Sequence, residues 1–329
     1  MLSSLAISLL LLLLFFNPKA FALSQEELIA GAKREGQLLL YTSVAAPQAQ
    51  MSLGAFQKKY PFIRTEYYRT GKVQLLSRVL LEQQAKKSIA DVIHSSVIQI
   101  NIMKKKGALS RYIPSEAASY PSQYKDPDGY WSSVYVSSTV MGYNSRQVSR
   151  AEAPKKYEDL LQARWKSSIG IDSNQIEWFA MLVKVKGRPF MEKLAAQRPQ
   201  VRTGNELVVN LLAAGEFPIA AGILDYSIEG LKNQGASVEW VALEPVITHP
   251  VGVALPSHPL HPYAGKLFAE FLLSKEGQEV VNQYRRVPIR EDVESKHGRL
   301  FRQYELLIVD PDLGEREAEA TELFRRLFQ

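Results

Sequence analysis

The chain has 329 residues, 46% apolar and 22% charged, with a net charge of +6 and no cysteine. These proportions suit a globular protein and exclude a disordered chain; the missing thiols exclude disulfides, thiolate metal sites, cysteine nucleophiles and a lipid-modified N-terminal cysteine. The basic residues fall in short clusters such as Lys104-Lys105-Lys106 and Arg285-Arg286 rather than in one stripe, so no nucleic-acid partner is expected.

Leu5 to Phe16 is an unbroken, almost wholly apolar run followed by Ala20-Phe21-Ala22. It is shorter than the roughly 20 residues of a membrane-spanning helix. It suits the hydrophobic stretch of a secretory signal, with Ala-x-Ala as the cleavage site, although only the Met1 amine supplies positive charge before it. Residues 1–22 are therefore expected to be a cleaved signal, with an uncleaved anchor as the alternative. The mature protein is expected in the periplasm, since it lacks the disulfides of a small secreted eukaryotic domain.

Ser24 with Glu27 is a capping box that opens a helix to about Arg34, ended by Gly36. Gln37–Tyr41 reads as a strand, Pro47–Tyr60 as a helix with proline in its first turn, and Phe62–Tyr68 as a strand. Leucines at 75, 76, 80 and 81 have helical spacing within Val73–Lys87. Ala90–His94 is a buried strand, and a helix from Val97 stops at Gly107. This β-α-β-α-β-α order predicts a largely parallel sheet covered by helices. Asp126-Pro127-Asp128-Gly129 is turn chemistry, and Trp131–Tyr143 is a long extended segment.

A second alternating series follows. It has a helix from Lys156, strand Ser168–Asp172, helices Gln175–Lys186 and Phe190–Gln197, strand Gln200–Arg202, helix Glu206–Ala214, strand Phe217–Ala221 and helix Tyr226–Asn233. Val238–Leu243 and Val246–Leu255 are extended, and the last 70 or so residues are mostly helical. The fold class expected is α/β with two lobes, each a mostly parallel sheet flanked by helices. Residues 23–142 plus 249–329 would form one lobe and 143–248 the other, with hinge crossovers near Gly142 and His249.

Leu39-Leu40-Tyr41-Thr42-Ser43, Ala90-Asp91-Val92, Gly142-Tyr143-Asn144, Tyr157-Glu158-Asp159-Leu160-Leu161 and Ala213-Ala214-Gly215-Glu216 occur in this order. With Phe271-Leu272-Leu273-Ser274-Lys275-Glu276-Gly277-Gln278, they resemble the type II periplasmic solute-binding proteins of ABC importers. The resemblance is to the branch for ferric iron, thiamine, polyamines and phosphonates. It implies a monomer that is not an enzyme and closes two lobes around a small-molecule or ion ligand. The closed form would then be presented to an inner-membrane permease. No resident cofactor is implied, although ferric iron could be the transported ligand.

Open α/β sheets bind ligands beyond the carboxyl ends of their strands. Thr42 and Ser43, Ser95 and Ser96, Asp172-Ser173-Asn174, and Thr203-Gly204-Asn205 all lie between such an end and a helix. Free helix N–H groups make these places anion seats, while the same residue types are also favoured as plain N-caps. Ser138 and Thr139 lie on the extended segment where the resembled family places ligand contacts, and an edge strand facing water is the alternative. Trp178 and Tyr226 are candidates for an aromatic wall, with core packing as the other reading of Trp178.

Asp225-Tyr226 falls where ferric-binding relatives carry adjacent tyrosines. Tyr226 and Asp225 are therefore the metal-ligand candidates if the cargo is iron, although one of the two tyrosines is missing. His94 reads as a strand-end histidine with an ordinary hydrogen bond. Two other classes of function stay open: a sensing subunit of a signalling receptor, and a secreted α/β hydrolase. The second lacks a Gly-x-Ser-x-Gly elbow, a His-Glu-x-x-His motif and a phosphate loop.

Overall fold

The computed structural model describes residues 24–295 and 303–329, so the expected signal at 1–22 lies outside the described residues. Among the described residues no helix is long and apolar enough to cross a membrane.

The first half is built as α1 (Gln25–Glu35), β1 (Gln37–Thr42), α2 (Ala46–Lys59), β2 (Arg64–Arg69), α3 (Lys72–Gln84), β3 (Val92–Ser96), α4 (Val97–Lys105) and the short β4 (Leu109–Ser110). The capping box forms as the sequence requires: Ser24 Oγ accepts from the Glu27 N–H, and Glu27 accepts from the Ser24 N–H. Gly36 closes α1 at φ +66°, a left-handed position that glycine takes without steric cost. The 14-residue β5 (Trp131–Asn144) is buried along its whole length.

Beyond it come β6 (Ile169–Asp172), α5 (Ile176–Lys186), α6 (Arg188–Ala196), β7 (Gln200–Arg202), α7 (Asn205–Ala214), β8 (Ile219–Leu224), α8 (Asp225–Asn233) and β9 (Val238–Val241). The chain returns through β10 (Val246–Pro256), α9 (Pro262–Leu273), α10 (Lys275–Gln283), β11 (Val287–Pro288), β12 (Leu306–Ile308) and α11 (Glu317–Phe328).

The main strand order is β2-β1-β3-β10-β5-β8-β6-β7. β1 is parallel to β2 and β3, and β6 is parallel to β7 and β8. These two parallel blocks are the lobes, and the antiparallel strands β10 and β5 join them. β5 pairs with β10 as far as Ser138 and with β8 from Thr139 onward. The partner change thus falls a few residues before Gly142. β10 pairs with β12 through Thr248 and with β3 from Val251, which brackets His249.

Phe56 anchors the first lobe's core, with the Phe268 and Phe271 rings 5.0 and 5.5 Å away. The second core gathers Trp178, Phe179 and Leu182 together with Phe324. Phe324 belongs to α11, a helix that the sequence places with the first lobe. Its apolar face instead meets α5, where Phe324 and Phe328 lie 5.3 and 5.9 Å from Phe179.

The helix expected from Lys156 is two 3-10 turns, Tyr157–Leu161 and Ala163–Trp165. The Asp159 carboxylate accepts from the Lys155 and Lys156 N–H groups, and the Gln162 N–H bonds the Asp159 carbonyl three residues back. This closes the turn before an α-helix can propagate. β4, β11 and β12 are two or three residues long, too short to show a period in sequence.

Candidate functional site

A cavity of about 370 Å³ lies where the two lobes face each other. The first lobe contributes Ser43, Val44, Ala45 and Gln48 from the β1–α2 junction, Arg69 at the end of β2, Lys72 at the start of α3, and Ser96 at the end of β3. The second contributes Asn174, Gln175 and Glu177 at the start of α5, with Leu224 and Tyr226 at the start of α8. Tyr135 and Ser137 of β5 and His249, Pro250 and Val251 of β10 complete the lining, with Arg286 from the turn after α10. The cavity therefore sits at the carboxyl ends of both parallel blocks, as the connectivity of open α/β sheets dictates.

Three helices begin at this wall, and none is capped by the side chain at its N-cap. These are α2 at Ala45, α4 at Ser96 and α5 at Gln175. The positive helix ends favour an anion, although α2 offers few free N–H groups, since Pro47 has none and the Gln48 N–H bonds the Ala45 carbonyl at 3.0 Å. Three cationic side chains, Arg69, Lys72 and Arg286, share the cavity with one carboxylate, Glu177. Glu177 Oε1 accepts from Lys72 Nζ at 2.8 Å, and its Oε2 is 2.7 Å from His249 Nδ1. Burial alone would push the Glu177 carboxyl up, but the Lys72 ammonium and the His249 hydrogen bond overcome it and hold the carboxyl well below the usual range. Burial likewise opposes charge on Lys72, and Glu177 reverses the balance and raises its pKa.

Opposite, the Arg286 guanidinium lies 3.2 Å from the Tyr226 ring centroid. Desolvation raises the Tyr226 phenol, with Arg286 pulling it the other way. Gln48 Oε1, His249 Nε2 and Arg286 Nε are buried without a hydrogen-bond partner among the described residues. Buried polar atoms are rarely left so, and these three belong to side chains of the cavity wall.

Of the residues the sequence singles out, Ser43, Ser96, Asn174 and Tyr226 line the cavity. The others are buried or spent on structure behind it. Thr42 Oγ1 donates to the His94 carbonyl and accepts from the Val44 N–H. Ser95 Oγ meets Ser43 Oγ at 2.8 Å. Ser138 Oγ is 3.3 Å from Thr248 Oγ1, and Thr139 Oγ1 donates to the Ile247 carbonyl. Asp172 accepts from the Asn174 and Gly204 N–H groups, and Ser173 Oγ is 2.9 Å from Thr203 Oγ1.

Trp178 is fully buried beneath Gly222. Asp225 is buried and accepts from the Ser138 N–H at 3.1 Å. His94 departs from the ordinary hydrogen bond expected of it: both ring nitrogens lack a partner among the described residues, and burial pushes the ring down to about 4. Arg69, Lys72, Glu177, His249 and Arg286 escape the sequence reading. In isolation the four other than His249 resemble solvated charges, with β2 ending at Arg69 beside the flagged end of β1 as the one hint; His249 is marked in sequence as a hinge position and not as a cavity residue.

The family described as bacterial extracellular solute-binding protein matches residues 87–302. An uncharacterized protein of Haemophilus influenzae is 26% identical over 290 residues, which is 80% of this chain and 82% of that protein. Iron-bound HitA from Pseudomonas aeruginosa superposes with a TM-score of 0.78 at 24% identity, covering 89% of this chain and 99% of HitA. AfuA from Actinobacillus pleuropneumoniae, solved with exogenous fructose-6-phosphate bound, gives a TM-score of 0.74 at 20% identity with the same two coverages. Two parallel blocks hinged by long antiparallel strands, together with a family match to about two-thirds of the sequence, lead to one assignment: the chain belongs to the bacterial extracellular solute-binding proteins, with the type II fold of the binding proteins that serve ABC importers.

Proposed function

We propose that this protein captures a small organic anion, of the phosphorylated or carboxylated kind, in the interlobe cavity and delivers it to an ABC permease from the periplasm. The observation that carries this reading is the charge of the wall: Arg69, Lys72 and Arg286 stand against a single carboxylate that is already bonded to Lys72 and His249. Around them, α2, α4 and α5 start without side-chain caps. The volume of about 370 Å³ lies at the small end of ligand cavities, which fits a metabolite rather than a peptide.

Among the solved relatives, HitA is iron-bound and AfuA carries fructose-6-phosphate. The wall of this cavity favours the second kind of cargo. A bare ferric ion wants several hard anionic oxygens. Among the described residues no cluster of three or more His, Asp or Glu side chains could hold a metal. Asp225 is buried against Ser138, and the Tyr226 ring is covered by Arg286.

The test is calorimetric titration of the mature protein with a sugar phosphate, a phosphonate, citrate, spermidine, thiamine and a ferric salt. Binding of an anion that weakens as salt rises, and falls roughly 10- to 100-fold in Arg286→Ala, is the expected result. Tight binding of spermidine, thiamine or iron alone, with every anion inert, overturns the reading.

A further inference from the structure

The contacts that cross the cleft include one that no solute has to complete. Lys72 is the first residue of α3 in the first lobe, and Glu177 lies in the first turn of α5 in the second. His249 lies on β10, between the segment paired with β12 and that paired with β3. The Glu177 carboxylate bonds both, at 2.8 and 2.7 Å. The side chains of Glu177 and His249 are 13% and 12% exposed, and that of Lys72 is 39%.

We propose that Glu177 is an interlobe latch, a positioning residue that holds Lys72 of the opposite lobe and the hinge histidine together and thereby favours closure whatever the cavity contains. Rotation about the Ser138–Thr139 and Thr248–Val251 crossings carries α5 away from α3. The Lys72 arm must then break, while His249, at the pivot, stays near its partner. Ligand-independent closing energy changes the ratio of open to closed molecules, and a solute binding the closed form then inherits that bias. The pair is neither fully buried nor free. Removing one partner of a buried pair is very costly, whereas exposed pairs contribute little. The exposure of Lys72 places this latch between those limits, at roughly a tenfold change in the open-to-closed ratio. Arg286 over Tyr226 is a second crossing; Glu177 is the probe chosen because its carboxylate already bonds both Lys72 and His249, whereas Arg286 Nε has no partner among the described residues.

The chain has no cysteine, so Lys58→Cys on α2 and Lys193→Cys on α6 place one dye on each lobe at exposed positions. Protein stripped of bound solute in denaturant and refolded is then measured by single-molecule energy transfer. Glu177→Gln, which keeps the size of the side chain and removes its charge, is expected to raise the open-to-closed ratio about tenfold. Lys72→Met, at a partly exposed helix start, is expected to do the same, and the double variant should add little to either. Each variant is first checked for native circular dichroism. If the folded Lys72→Met and Glu177→Gln proteins give distributions superimposable on the parent, or if their effects add in full, the latch is refuted. This readout needs no ligand, so it stands or falls separately from the anion proposal.

Discussion

Asp225→Asn isolates the cost of burying a charge at the hinge. The Asp225 carboxyl is 6% exposed, and burial pushes it up to about 6, against the Ser138 N–H and the Arg286 guanidinium, which pull it down. An acid whose native pKa exceeds its unfolded value, near 3.9, binds its proton more tightly in the folded state. Stability from this group is thus fully present below about pH 4 and is lost as pH rises through about 6. Two pH units at 1.36 kcal/mol each make about 3 kcal/mol.

Asparagine keeps an oxygen acceptor for the Ser138 N–H and never ionises. The stability of the variant relative to the parent should therefore climb by about 3 kcal/mol between pH 4 and pH 7.5. Urea unfolding at half-unit intervals of pH measures the difference directly, because other titrating groups cancel between the two proteins. A difference that stays flat across that window, or falls with pH, would show that Ser138 and Arg286 outweigh burial, and the reasoning fails.

Two further predictions concern packing. Phe324→Ala empties a side chain that is 1% exposed against Phe179 and should cost about 3–5 kcal/mol in urea unfolding; a loss under about 1 kcal/mol would mean that α11 is not part of the second lobe's core. Gly222 has φ +69°, and an added Cβ would stand 2.6 Å from the Trp178 ring. Gly222→Ala should therefore destabilise by about 2 kcal/mol or more and shift the Trp178 emission. An unchanged spectrum and melting curve would contradict that close approach.

The α/β alternation and the two parallel blocks are legible in the chain because they rest on local signals. The capping box at Ser24, the left-handed glycine at Gly36 and the apolar spacing along α3 each act within a few residues, so a linear reading finds them. Strand ends rich in Ser and Asn are recognisable for the same reason, which marks Ser43, Ser96 and Asn174, whereas Tyr226 is marked by the family resemblance and its aromatic ring. Whether a hydroxyl at such an end faces the cavity or its neighbour is decided by side-chain direction. Thr42 and Ser95 turn to His94 and Ser43 instead.

What only the tertiary structure decided is the meeting of Arg69, Lys72, Glu177, His249 and Arg286, which are separated by up to 217 positions in the sequence. Nothing local marks a lysine as paired across a cleft, since its helical position and polarity are those of any solvated surface charge. The place of α11 is likewise settled by Phe179, a residue far from it in the chain. Periodicity records which face of an element is apolar, whereas the partner of that face is chosen by long-range packing and by the free energy of removing both surfaces from water.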